Sequence, residues 1–124
     1  MLQQNRYLNV LRELRCNCFK NCHKLRNINI PYSVQMLEDY CFANCSKLDI
    51  IELPKELMEI GAYCFANDIS LTGVVVPSKT TKIGDSAFER CERLSFFSAP
   101  ENIDLGNNIL MDCKSIESLT QYKK

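Results

Sequence analysis

The sequence has no tryptophan, one histidine (His23) and only four glycines, each isolated from the others. Without a glycine run there is no loop to cradle a phosphate. His23 is the only imidazole available as a general base, and the repeat puts it on a convex turn, where a surface or packing histidine is expected instead. Net charge is also missing, since 15 basic residues face 15 acidic ones. Nothing global therefore steers the chain to nucleic acid or to an anionic membrane. No stretch approaches the roughly 18 consecutive apolar residues of a membrane span. The first residues, Met-Leu-Gln-Gln-Asn-Arg-Tyr-Leu, lack the basic region and apolar run of a secretory signal. The location expected from this is cytoplasmic, or cell-surface-associated without a signal peptide.

Of the 124 residues, 46 % are apolar and 24 % charged, which suits one folded domain with a core. The even charge balance hides a gradient. Residues 1–30 carry six basic groups and one acid, Glu13, and the remainder carries nine basic and fourteen acidic groups.

The strongest signal is a period. Proline recurs at Pro31, Pro54, Pro77 and Pro100, and leucine at Leu25, Leu48, Leu71 and Leu94, always 23 residues apart. Cys18-Phe19, Cys41-Phe42, Cys64-Phe65 and Ala87-Phe88 keep the same step. Gly61 and Gly84 lead to Gly106, and Cys91 to Cys113, at a step of 22, which one deletion between Pro100 and Gly106 explains. Independent columns sharing one period mark a stack of supersecondary units. The reading is about five units, residues 16–124, with residues 1–15 as a degenerate first repeat or N-terminal cap.

Each unit reads as strand, turn and short helix. In Leu48-Asp49-Ile50-Ile51-Glu52-Leu53-Pro54, the inward positions 51 and 53 alternate as a strand requires. Proline then ends the strand. Gly61 or Gly84 is expected to permit a turn through its backbone freedom. Cys41, Phe42, Cys45 and Leu48 fall at helical spacing, so an α-helical or 3₁₀ turn is expected there. The fold class is therefore an α/β solenoid, with parallel strands on a concave side and short helical turns on a convex side.

These residues resemble the BspA-like type of leucine-rich repeat. Leu71-Thr-Gly-Val-Val-Val-Pro77 followed by Ile83-Gly84-Asp-Ser-Ala87-Phe88-Glu-Arg-Cys91 follows that pattern closely. Tyr40-Cys-Phe-Ala-Asn-Cys45 is similar to a cysteine-rich form found in gut protists. The resemblance implies binding to proteins or host surfaces, often as a cell-surface module.

Eight cysteines invite three readings: a disulfide framework, a zinc site at Cys16, Cys18, Cys22 and His23, or small apolar packing. Helical turns need roughly 8–10 Å between neighbours, which argues against disulfides along a column. Cysteine gives way to Ala87 in one column and to Asp68 in another. A ligand position does not vary so freely, so buried reduced thiols are the favoured reading. No cofactor or metal is expected.

With catalysis unsupported, attention moves to the outward strand positions. Asn27, Asn29, Ile50, Glu52, Val75, Phe96 and Ser98 form the candidate partner-binding strip, with Phe96 as anchor. Gly73, Ser118 and Thr120 extend it. The leading reading is a non-catalytic protein-binding module. The alternatives are a self-assembling unit, with a homodimer formed through the solenoid ends near residues 121–124, or nucleic-acid or zinc binding at the basic N-terminus. Nucleic acid is not the expected partner.

Overall fold

The computed structural model describes residues 10–116. Its coils stack at the sequence period and pair only in parallel. The strands are β1 (Glu13–Leu14), β2 (Met36–Leu37), β3 (Glu59–Ile60), β4 (Gly73–Val75), β5 (Lys82–Ile83), β6 (Phe96–Ser98) and β7 (Asp104–Leu105). They form a five-stranded sheet, β1-β2-β3-β5-β7, and a two-stranded sheet, β4-β6. Leu14, Leu37, Ile60, Ile83 and Leu105 run in register across the longer sheet. The first four of these are buried, because each points into the stack.

The dominant sheet is not the one expected. Strands are expected just before each proline, yet among the described residues only β4 and β6 form there, joined by a single bridge between Ile50 and Gly73. The continuous ladder lies further along each coil. Side-chain chemistry accounts for the difference. The first two coils present Asn27, Asn29, Asp49 and Glu52 at outward positions, whereas β4 and β6 carry the strand-favouring Val75 and Phe96. The prolines withhold an amide hydrogen in every coil.

The helical turns are absent among the described residues. In their place each coil puts two residues, four apart, into the left-handed region. The pairs are Asn17 and Asn21, Tyr40 and Asn44, Tyr63 and Asn67, Ser86 and Arg90, and Asn108 and Asp112, all with φ between 56° and 66°. Asn and Asp tolerate this region better than other residues with a Cβ. The left-handed residues direct alternate amides along the stack axis rather than around a helix. Asn17, Phe19 and Asn21 donate to Asp39, Cys41 and Ala43 of the next coil at 2.7–3.1 Å. Tyr40, Phe42 and Asn44 repeat this toward Ala62, Cys64 and Ala66 at 2.8–3.0 Å. The pattern holds to the last described coil, where Arg90 donates to Met111 at 2.8 Å.

This close stacking overturns the spacing argument made for the cysteines. Phe19, Phe42, Phe65 and Phe88 stack with centroids 5.1–5.3 Å apart and planes within 6° of parallel. The turns are therefore far nearer than helices could be, and distance alone does not bar bonds along a column. The eight thiols are free. Cys45, Cys91 and Cys113 each donate to a phenylalanine carbonyl of the preceding coil, Phe19, Phe65 and Phe88, at 3.1–3.2 Å. Burial pushes the Cys41 and Cys45 thiols up to about 12, which keeps them protonated and inert.

Nor do the glycines act through a turn, since none has a positive φ. Gly84 instead lies against the preceding coil, where an added Cβ would sit 2.6 Å from the amide nitrogen of Ala62. Gly61 meets Asp39 in the same way. Glycine is required here by close approach.

The core is one continuous column of Leu, Ile, Val, Phe and Cys side chains from Leu14 to Ile109. A buried Leu or Phe contributes roughly 1.5–3 kcal/mol. One coil cannot bury such faces alone, and stacked neighbours do. No helix among the described residues is long and apolar enough to cross a membrane.

Candidate functional site

Two outward faces differ sharply. The first lies on the short sheet and holds the strip expected from sequence. Ile50, Gly73 and Phe96 stand in one row, because Ile50 bridges Gly73 and Gly73 pairs with Phe96. Val75 and Ser98 pair in the next row. Between the rows, Ile51, Val74 and Phe97 turn inward and are buried. Alternation thus leaves Ile50 and Val75 61 % exposed and Phe96 46 % exposed. Asn27, Asn29 and Glu52 are exposed as well, and Ser98 is half-buried. Asn29 and Glu52 line an open hollow of about 540 Å³, walled by Ile28, Ile30, Tyr32 and Leu53. Ser118 and Thr120 lie outside the described residues, as do residues 121–124.

Gly73 shapes this face. A Cβ built on it would be in ordinary contact with Phe96 alone, at 3.9 Å, so no neighbour obliges this position to be glycine. The absent side chain leaves a notch between Ile50 on one coil and Phe96 on another, with Val75 alongside.

Beside the notch runs a charged row. Asp49 donates its amide to the Arg26 carbonyl, Thr72 to Asp49 and Ser95 to Thr72, at 3.0–3.2 Å. This ladder holds Arg26, Asp49 and Thr72 at one level. Together with Lys47, Ser70 and Arg93 they line a hollow of about 250 Å³.

The second face belongs to the long sheet, and sequence reasoning did not single it out. A groove of about 460 Å³ follows β2, β3 and β5. Glu38, Asp39, Glu59, Asp85 and Asp104 line it, with Lys82 and the thiol of Cys16. Gly61, Gly84 and Gly106 form part of its lining. Two of the carboxylates already have structural partners, since Asp39 accepts from the Ala62 amide and Asp85 from the Asn107 amide, both at 2.9 Å. Glu38 accepts from the Cys16 amide at 3.2 Å. A hydrogen bond with Glu13 holds the Glu38 carboxyl below its ordinary value, helped by the contacts with Cys16. The acids at one column position, Glu59 and Asp104 around Lys82, were the available sequence signal for this face.

The candidate zinc ligands do not converge. Cys16 turns to Glu38, and His23 pairs with the Ser46 hydroxyl at 3.3 Å. Among the described residues, no three of His, Cys, Asp and Glu come together in a metal-binding arrangement. One buried group stands apart from both faces. Asp68 occupies a cysteine column and is fully buried. One carboxyl oxygen accepts from the Cys45 amide at 2.8 Å, and the other has no hydrogen-bond partner. Desolvation pushes this carboxyl from an ordinary 3.8 up to about 9, so it is neutral at physiological pH.

Comparison with known proteins agrees with this architecture. A crystal structure of a leucine-rich repeat protein from Bacteroides ovatus superposes with a TM-score of 0.82 at 26 % identity, covering 87 % of this chain. The chain spans only 28 % of that protein. A leucine-rich repeat protein of T. pallidum matches over 87 % of this chain and 72 % of its own, at 22 % identity and a TM-score of 0.49. No curated protein matches the chain. The family description "BspA type Leucine rich repeat region" matches residues 8–124 in six copies. The chain belongs to the BspA-type leucine-rich-repeat family.

Proposed function

We propose that the chain is a non-catalytic protein-binding module whose contact surface is the short-sheet face around Ile50, Val75 and Phe96. The observation that carries this reading is the register. Three large apolar side chains stand exposed on the short sheet and the bridge that extends it, while the residues between their rows fill the core. Isolated exposed apolar residues are ordinary, but a grouped set rimmed by polar side chains suits a partner. Asn27, Asn29, Glu52 and Ser98 supply that rim, and Phe96 supplies an aromatic anchor. Membership of a leucine-rich-repeat family supports binding over chemistry. So does the separation of His23 and Cys16, each of which is engaged with a different neighbour.

Site-specific photocrosslinking tests the reading. A photoreactive residue at position 75 should yield an adduct with a foreign protein in lysate of the source organism, and one at position 59 in the acidic groove should not. Adducts arising from position 59 alone would move the site to the other face. Adducts made only with further copies of the chain would favour self-assembly instead.

A further inference from the structure

Resting on the reading above, we infer that this face takes an extended peptide segment that combines an apolar side chain with a nearby carboxylate. The apolar residue seats in the Gly73 notch, and the carboxylate reaches the hollow beside it.

The notch has room for one side chain. Gly73 removes the side chain between Ile50 and Phe96, and an added Cβ meets nothing closer than 3.9 Å. Parallel neighbours lie roughly 4.8 Å apart. Residues of one row on coils two apart, such as Ile50 and Phe96, are then separated by about twice that, the width one aliphatic or aromatic side chain fills.

The adjoining hollow selects charge. Its lining holds three cations, Arg26, Lys47 and Arg93, against one acid, Asp49. None of the three cations forms an ion pair among the described residues. Its two hydroxyls have already spent their hydrogens. Ser70 donates to the Ser46 carbonyl at 2.8 Å and Thr72 to the Asp49 carbonyl at 3.3 Å. They offer lone pairs outward, suited to peptide N–H groups, while the guanidiniums offer forks for a carboxylate. Asp49 sits within this set and Glu52 stands nearby on the same coil. Both repel a continuous phosphate backbone, which favours a peptide over a nucleic acid. The hollow and the notch are contiguous in the chain, since Asp49 precedes Ile50 and Thr72 precedes Gly73. One short segment can therefore reach both.

Panning a displayed random 12-residue peptide library against the protein tests this directly. The expected selection pairs Phe, Leu, Ile or Tyr with Asp or Glu within about three residues, the reach of an extended chain across two rows. Binding of a selected peptide should weaken about tenfold in Arg26→Glu/Arg93→Glu, as one or two charge-assisted hydrogen bonds are lost. The same variant should instead select basic peptides. Peptides that bind wild type and Arg26→Glu/Arg93→Glu equally would overturn the charge pairing while leaving the face intact. Binding unaffected by Val75→Ser/Phe96→Ala, or no enrichment at all, would overturn both this inference and the face it rests on. A short oligonucleotide that displaces the peptide from wild type but not from Val75→Ser/Phe96→Ala would show a nucleic-acid site and overturn the peptide assignment. Circular dichroism of both double variants confirms that the stack persists.

Discussion

The two faces of the stack are made by the same period and differ in what they present. The long sheet pairs five strands and carries a groove lined by five acids and one lysine. Among the described residues the short sheet pairs two strands, and it carries exposed Ile, Val and Phe beside three cations. On the long sheet the carboxylates are partly engaged in holding the coils together, as Asp39 and Asp85 cap the next coil's amides. On the short sheet the exposed side chains contribute little to the fold. On the proposed reading, regularity and binding are set on different sides of one core. The face with the more continuous backbone ladder also spends two carboxylates on the next coil's amides.

Substitutions can break or sharpen this contrast. The largest effect should come from the core that both faces share. Phe65→Ala removes the middle of the aromatic stack and should lower unfolding free energy by about 3–5 kcal/mol in urea titration. Signals reporting on the two faces should fall together, and separate transitions would show that the sheets unfold independently.

Gly84→Val should act on the long sheet first. Its side chain must enter a space where backbone atoms of Gly61 and Ala62 already lie within 2.6–2.9 Å of the Cβ position. A loss of about 2–3 kcal/mol is expected, as for overpacking. An unchanged midpoint would mean that the coils can separate without cost.

Asp68 gives a pH-dependent effect. Its folded-state value, about 9, lies above the ordinary 3.8. Below about pH 4 both states hold the proton and the stability is fully present. As pH rises toward 9 the unfolded chain releases a proton that the native state keeps. Stability should then fall by up to about 1.4 kcal/mol per pH unit. Asp68→Asn should flatten that slope, and Asp68→Cys should do so while restoring the column. Denaturation midpoints measured between pH 5 and 8 test this, and a wild-type midpoint indifferent to pH would contradict it.

Phe96→Ala should have the smallest effect on folding, within about 0.5 kcal/mol, because surface positions seldom exceed that. The same change should have a large effect on the selected peptides. Thermal melts beside binding isotherms read the two effects separately.

Much of this architecture is legible in the sequence, because a core that repeats must repeat its apolar residues. Leu48, Leu71 and Leu94 and the phenylalanine column announce the stack before any geometry is known. The outward strip is legible as well, since strand alternation assigns Ile50, Val75 and Phe96 to the surface. The turn is less legible, because i, i+1, i+4, i+7 spacing suits any closed loop that returns to one face. The asparagines at 21, 44 and 67 were the discriminating signal, as they favour left-handed backbone over helix interior. The glycine column suggests conformational freedom in the sequence, while its cause lies in the neighbouring coil, which one unit's sequence does not display. The long sheet is harder to read because its outward column mixes Met36, Glu59, Lys82 and Asp104, so the two acids do not repeat from coil to coil.

The shortened final unit has a consequence for how such chains can change. Lys82 pairs with Asp104, 22 positions on, although every earlier partner on that ladder is 23 away. The missing residue falls between Pro100 and Asp104, where coil-to-coil backbone bonds lapse between those anchored at Ser98 and Asp104. Slack is thus confined to a segment that joins two locked stretches. Insertions and losses landing there leave both sheets aligned, whereas the same change beside Gly84 would shift every later contact. One coil of this stack is thus a residue shorter than the others while its strands keep their register, which makes this arc the place where length can change without disturbing the scaffold.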